Sequence, residues 1–154
     1  RHGEMLMEQA LRNKVKGMMC IIDCDKFKSI NDTYGHAVGD EVIIAIAHTL
    51  KNICRKDDIV MRLGGDEFAI FFPNVVGQQS AGEIFKRISE NIEKIEIKEL
   101  GSRKIMLSIG ACFYDGVGDI SYDSLYRRAD EAMYQSKKQQ GFCVMVHGAA
   151  GFRY

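Results

Sequence analysis

Two acidic clusters are the places where this chain could do chemistry. Asp23 closes an apolar run in Ile21-Ile22-Asp23-Cys24-Asp25, and α/β proteins tend to place ligand-binding groups at the carboxyl ends of buried strands. Further on, Gly64-Gly65-Asp66-Glu67-Phe68 sets two acids behind two glycines. Adjacent glycines permit positive φ at a tight turn and let a ligand approach the backbone closely. In a strand Asp66 and Glu67 point to opposite faces, so one can address a ligand while the other braces it or shares a metal. If the two runs are sheet neighbours, Asp23 and Asp66 can hold one Mg²⁺ between them, because such hard cations take a few carboxylates completed by phosphate oxygens. Taken singly, each cluster also suits an ordinary turn, a common use of Asp and Gly.

The segment from Lys26 to Glu41 adds groups of another kind. Lys26 and Lys28, with the backbone amides of a turn, suit a phosphate chain. Asn31 and Asp40 offer the donors and acceptors that read a purine edge, and a carboxylate accepting from guanine N1–H and its exocyclic amine selects guanine over adenine. The same residues equally suit a turn at Asn31-Asp32 and the first turn of a helix at Gly39-Asp40.

These groups need elements to position them. Residues 17–23 read as a buried strand, followed by a loop or short helix. Val38, Val42, Ile46, Leu50 and Ile53 recur at spacings of three and four, which predicts a helix over about 36–54. Ile59 to Leu63 and Asp66 to Phe72 read as two strands of a hairpin around Gly64-Gly65, ended by Pro73. Ala81, Ile84, Phe85, Ile88, Ile92 and Ile95 mark another amphipathic helix. A strand from Ile105 to Tyr114, a loop over 115–119, a helix over about 121–139 and a last strand from Phe142 to Val146 complete an α/β (α+β) order with five strands.

At 154 residues the chain has the length of one domain. Its 46% hydrophobic content supports a real core rather than disorder. Lys plus Arg number 21 against 21 Asp plus Glu, which excludes a domain-wide basic coat for nucleic acid. No apolar run approaches the roughly 20 residues of a membrane span. Five cysteines, an odd count without a CxxC pair, are not a disulfide scaffold; they read as small core hydrophobes in a reducing, cytoplasmic compartment. The opening Arg1-His2-Gly3-Glu4 lacks an initiator methionine and a signal pattern, which predicts a single domain, 1–154, truncated at its N-terminus and excised from a larger protein.

The run Arg62-Leu63-Gly64-Gly65-Asp66-Glu67-Phe68 resembles the signature of the GGDEF family of diguanylate cyclases, and Asp23 to Glu41 resembles that family's nucleotide-binding segment. The likeness continues through Ser108-Ile109-Gly110 and Arg128-Ala129-Asp130-Glu131-Ala132-Met133-Tyr134. It implies a cyclase-like fold, a central mixed five-stranded sheet flanked by helices, with the Gly-Gly hairpin at the active edge. It also implies that two GTP molecules, one on each domain of a homodimer, condense to cyclic di-GMP with loss of two pyrophosphates.

Carried over position by position, the resemblance gives Asp23 and Asp66 to Mg²⁺ (or Mn²⁺) through their side chains and Cys24 through its carbonyl. Glu67 assists with the metal or activates the attacking 3′-hydroxyl, so Asp23, Asp66 and Glu67 form the catalytic set. Asn31 and Asp40 recognise guanine; Lys26, Phe27, Lys28, Gly64, Gly65 and Lys137 hold the rest of GTP. Arg55 and Asp58 fit the family's RxxD product-inhibition motif, with Lys86 or Arg87 completing a second half-site. Sensory domains in a parent protein, possibly a membrane protein, are implied as partners.

Two departures stand out. The family's arginine after the last helix falls on Gly141, and its opening Asp-x-Leu-Thr-Gly-Leu segment is absent, which predicts weaker GTP affinity or altered turnover. A non-catalytic module that binds GTP or cyclic di-GMP and regulates an attached domain is the rival reading. A purine cyclase of different product is disfavoured by Asp40.

Overall fold

Gly17–Cys24 is an apolar run of strand length and forms β1, the centre of the sheet. The computed structural model describes residues 2–139 and 141–154, so Arg1 and Gln140 lie outside the described residues. Six strands run in the order β2-β3-β1-β4-β5-β6: β2 is Ile59–Gly64, β3 Glu67–Pro73, β4 Leu107–Tyr114, β5 Cys143–Val146 and β6 Ala149–Arg153. Only β4 and β5 pair in parallel; the other neighbours are antiparallel. The sheet is mixed, as expected, but it has six strands rather than five. The sixth escapes sequence reading because Ala-Ala-Gly-Phe-Arg has neither β-branched residues nor alternation. It is recruited by pairing with β5 and by Phe152, whose ring centroid lies 5.3 Å from that of Phe85.

Alternation along β1 divides the core. Met18, Cys20, Ile22 and Cys24 face one layer, while Met19 and Ile21 face the other. The first layer holds α2 (Phe27–Tyr34), α3 (His36–Ile53) and α4 (Gln78–Glu93), which bury Ile30, the Val42-Ile46-Leu50 stripe and the Ala81-Phe85-Ile88-Ile92 stripe. The second holds α1 (His2–Arg12) and α5 (Tyr122–Ser136). Helix α1 has no counterpart in the sequence reading, since it buries only the single i,i+4 pair Met7 and Leu11. Helix α5 lies directly on β4 because Gly110 has no side chain: a Cβ there would stand 2.0 Å from the Ala129 carbonyl oxygen. That close seating brings α5 over the ends of β1 and β3.

Candidate functional site

The site grows from the β1–β3 register. Asp23 lies opposite Glu67 on one side and Ser108 on the other, so these three residues share the sheet face covered by α5. Beyond Asp23 the chain turns: the Asp25 amide donates to the Met106 carbonyl at 2.8 Å, the Ser108 hydroxyl donates to Asp25 Oδ1, and Lys26 takes a left-handed φ of 55° at the start of α2. Helix α2 thus begins beside the acids. Its first amides have no intrahelical partner by geometry and form an anion-binding terminus.

On the other side of Asp23, β2 and β3 pair with Gly64 opposite Glu67 and Gly65-Asp66 between them. Gly64 and Gly65 hold φ of 145° and 51°, in the region that favours glycine, and a Cβ on either would meet nothing within 4 Å. The Arg62 guanidinium fastens this turn, with Nε and Nη2 donating to the Gly65 carbonyl at 2.9 and 2.5 Å.

This arrangement brings Asp66 against Asp23. The Asp66 carboxyl is pushed up to about 7, first by burial and then by its hydrogen bond to Asp23 and that residue's charge. The Asp23 side chain is 13% exposed; Oδ2 pairs with the Lys137 ammonium, while Oδ1 is buried without a hydrogen-bond partner. An unpartnered buried carboxylate oxygen is costly, and two carboxyls in contact favour a shared cation. The donors therefore fit a hard divalent ion. Cys24 offers such an ion its carbonyl rather than its sulfur: the thiol faces the apolar layer and is pushed up to about 12, chiefly by burial. Glu67 is placed differently. Its Oε1 accepts from the Tyr126 hydroxyl at 2.8 Å, and among the described residues no three His, Cys, Asp or Glu side chains gather to hold a metal.

Asn31 on α2 and Asp40 on α3 come to one place because Gly39 lets the helices close up. The buried Asn31 Oδ1 has no partner in the protein, and Asp40 beside it is exposed. Phe27 packs against the same core. Lys28 pairs with Asp32 at 3.1 Å on the surface. Lys137 caps α5 and is the described cation nearest the acids, its charge felt by Asp23, Asp25 and Asp66.

Far from this cluster, Arg55 and Asp58 form a tight turn, the Arg55 amide donating to Asp58 Oδ2 at 2.7 Å. Both line a cleft of about 560 Å³ together with Lys86 and Arg87 of α4. Burial raises the Asp58 carboxyl above its ordinary range, against the Arg55 amide and the nearby arginines. Sequence reasoning missed Tyr126 as a partner of Glu67. A tyrosine one residue after the buried Leu125 carries no signal that it will meet an acid 59 residues away.

A family model, the GGDEF domain of diguanylate cyclases, matches residues 2–142. The chain belongs to the GGDEF family. Diguanylate cyclase DgcM of Escherichia coli K12 is 39% identical over 119 residues, covering 77% of this chain and 28% of that protein. Among solved structures, the GGDEF domain of PA1120 (YfiN or TpbB) from Pseudomonas aeruginosa has a TM-score of 0.83 at 32% identity, covering 94% of this chain and 86% of that one. The GGDEF domain of DgcB from Caulobacter crescentus, solved in complex with c-di-GMP, has a TM-score of 0.81 at 25% identity, covering 96% and 87%. This GGDEF chain spans about a quarter of the length of the DgcM it matches. No helix among its described residues is long and apolar enough to cross a membrane.

Proposed function

We propose that this GGDEF domain is a diguanylate cyclase module that condenses two GTP into cyclic di-GMP and two pyrophosphates, acting from the cytoplasm as part of a larger protein with its own input domains. The observation that carries the reading is the contact of Asp66 with Asp23 at the end of β1, where Asp23 Oδ1 lacks any partner. Asp23, Asp66 and the Cys24 carbonyl would hold Mg²⁺ or Mn²⁺. Bound there, the ion would neutralise charge developing on the phosphates.

The protein's own residues do the rest. The first turn of α2, with Lys26, Phe27 and Lys28, grips the phosphates through backbone amides and ammonium groups, with Lys137 from α5 beside them. Asn31 and Asp40 hold the guanine edge, which fixes the base. Glu67 stands at the bond-forming side and takes the proton of an incoming 3′-hydroxyl as its oxygen bonds to the α-phosphorus and pyrophosphate leaves. One domain carries one GTP, so two domains must face each other and each supplies half of the reaction. The Arg55, Asp58, Lys86 and Arg87 cleft is the seat of product inhibition: the guanidinium grips a phosphate of cyclic di-GMP and stacks on its guanine.

Incubating the protein at high concentration with GTP and Mg²⁺ tests this, with pyrophosphate and cyclic di-GMP followed together. Both products in the ratio two to one are expected. Bound GTP with no product from this chain or its parent protein would replace the cyclase by the regulatory module, a reading that Gly141 in the usual arginine position favours.

A further inference from the structure

Asp23 and Glu67 are direct neighbours across the β1–β3 register, and Asp66 touches Asp23. Three carboxyls so arranged would ordinarily converge on one cation. They do not, and α5 is the reason. The Tyr126 hydroxyl donates to Glu67 Oε1 at 2.8 Å, while Lys137 at the end of the same helix pairs with Asp23. The two α5 residues are about three helical turns apart, roughly 16 Å along one stripe. Glu67 is therefore drawn toward the N-terminal half of α5 and Asp23 toward its C-terminal end.

We propose that Tyr126 is a positioning residue that keeps the Glu67 carboxylate out of the Asp23–Asp66 pair. The phenol suits the task. Its ring is packed among the residues of the second layer, 6.1 Å from the Tyr122 ring, and a packed aromatic with two side-chain torsions aims its hydroxyl at little entropic cost. The separation has a chemical purpose. A hard octahedral cation has few positions to give, and a third carboxylate would take one that a nucleotide phosphate needs. Held apart, Glu67 remains available to a hydroxyl. This consequence for turnover rests on the cyclase reading above; the separation itself does not.

Mn²⁺ titration of the nucleotide-free protein, followed by electron paramagnetic resonance, tests the separation without requiring turnover. In Y126F the ring stays and the tether goes, so Glu67 is free to join the pair. Mn²⁺ affinity should tighten by about threefold or more, toward the scale of other changes around metal ligands. The gain should vanish when Y126F/E67Q is compared with E67Q. Unchanged affinity in Y126F, or a gain that persists beside E67Q, overturns the proposal. Should Y126F fail to fold, E67Q alone decides: a tethered Glu67 outside the pair leaves Mn²⁺ affinity at the parent's value, and a large loss places it inside. Cyclic di-GMP production is assayed separately. A parent protein without it sinks the cyclase reading and leaves the Mn²⁺ result standing.

Discussion

The Oδ1 of Asn31 stands where a side chain on Gly39 would have to be: a Cβ there would lie 1.8 Å from it. A polar atom of α2 thus takes up space that α3 leaves open by carrying glycine. Replacing an interior helical glycine by alanine normally stabilises by about 1 kcal/mol. Here the methyl must expel the amide, so G39A should be no more stable than the parent in urea unfolding. Its GTP affinity, measured by calorimetry, should fall by about tenfold, the scale of one or two lost hydrogen bonds.

Lys137 is the ion-pair partner of a carboxylate that is only 13% exposed. Lys137→Met leaves that charge unpaired, and a loss of about 1–3 kcal/mol is expected, below the full cost of a deeply buried pair because the lysine itself is 38% exposed. Urea melts of K137M, D23N and D23N/K137M check this. The double variant should be more stable than K137M alone; equal stability would mean that the pair carries no energy.

Arg55 and Asp58 share their cleft with Lys86 and Arg87 of α4, well away from the paired acids. Arg55→Ala should therefore weaken inhibition by added cyclic di-GMP by about tenfold or more, as expected for losing a charge-assisted contact. Initial rates measured over a range of product concentrations read it out. Inhibition as strong as the parent's would move the product site elsewhere.

All five cysteines are free, and burial raises every one of their thiols, those of Cys24, Cys54 and Cys112 to about 12. The thiolate is the reactive form, so native protein at pH 8 should react slowly with a disulfide reagent and release five equivalents only after denaturation. Linkage gives a second consequence. A folded pKa above the unfolded one means that the folded state holds protons the unfolded state releases, so stability is intact below about pH 9 and falls as pH rises toward 12. Urea midpoints measured between pH 8 and 10.5 should decline, and less steeply in a Cys54→Ala variant.

Strands β1 to β5 and helices α3 to α5 were legible within a few residues because each carries a hydrophobic period that burial enforces locally: a continuous run for Met18 to Ile22, threes and fours for Val42-Ile46-Leu50. Helix α1 and strand β6 were not, since two buried residues and an Ala-Ala-Gly-Phe-Arg stretch acquire structure only from the neighbours that receive them. The two acidic clusters and the purine-reading pair were likewise visible as residue types at fixed spacing. Which atoms meet was not. Asp66 against Asp23, Lys137 on Asp23 and Tyr126 on Glu67 depend on strand register and on how closely α5 seats over Gly110, contacts between segments far apart in sequence. The sequence by itself determined which groups the site would contain, because side-chain chemistry is local. Tertiary structure decided which acids face one another and which is held apart, because packing sets those distances.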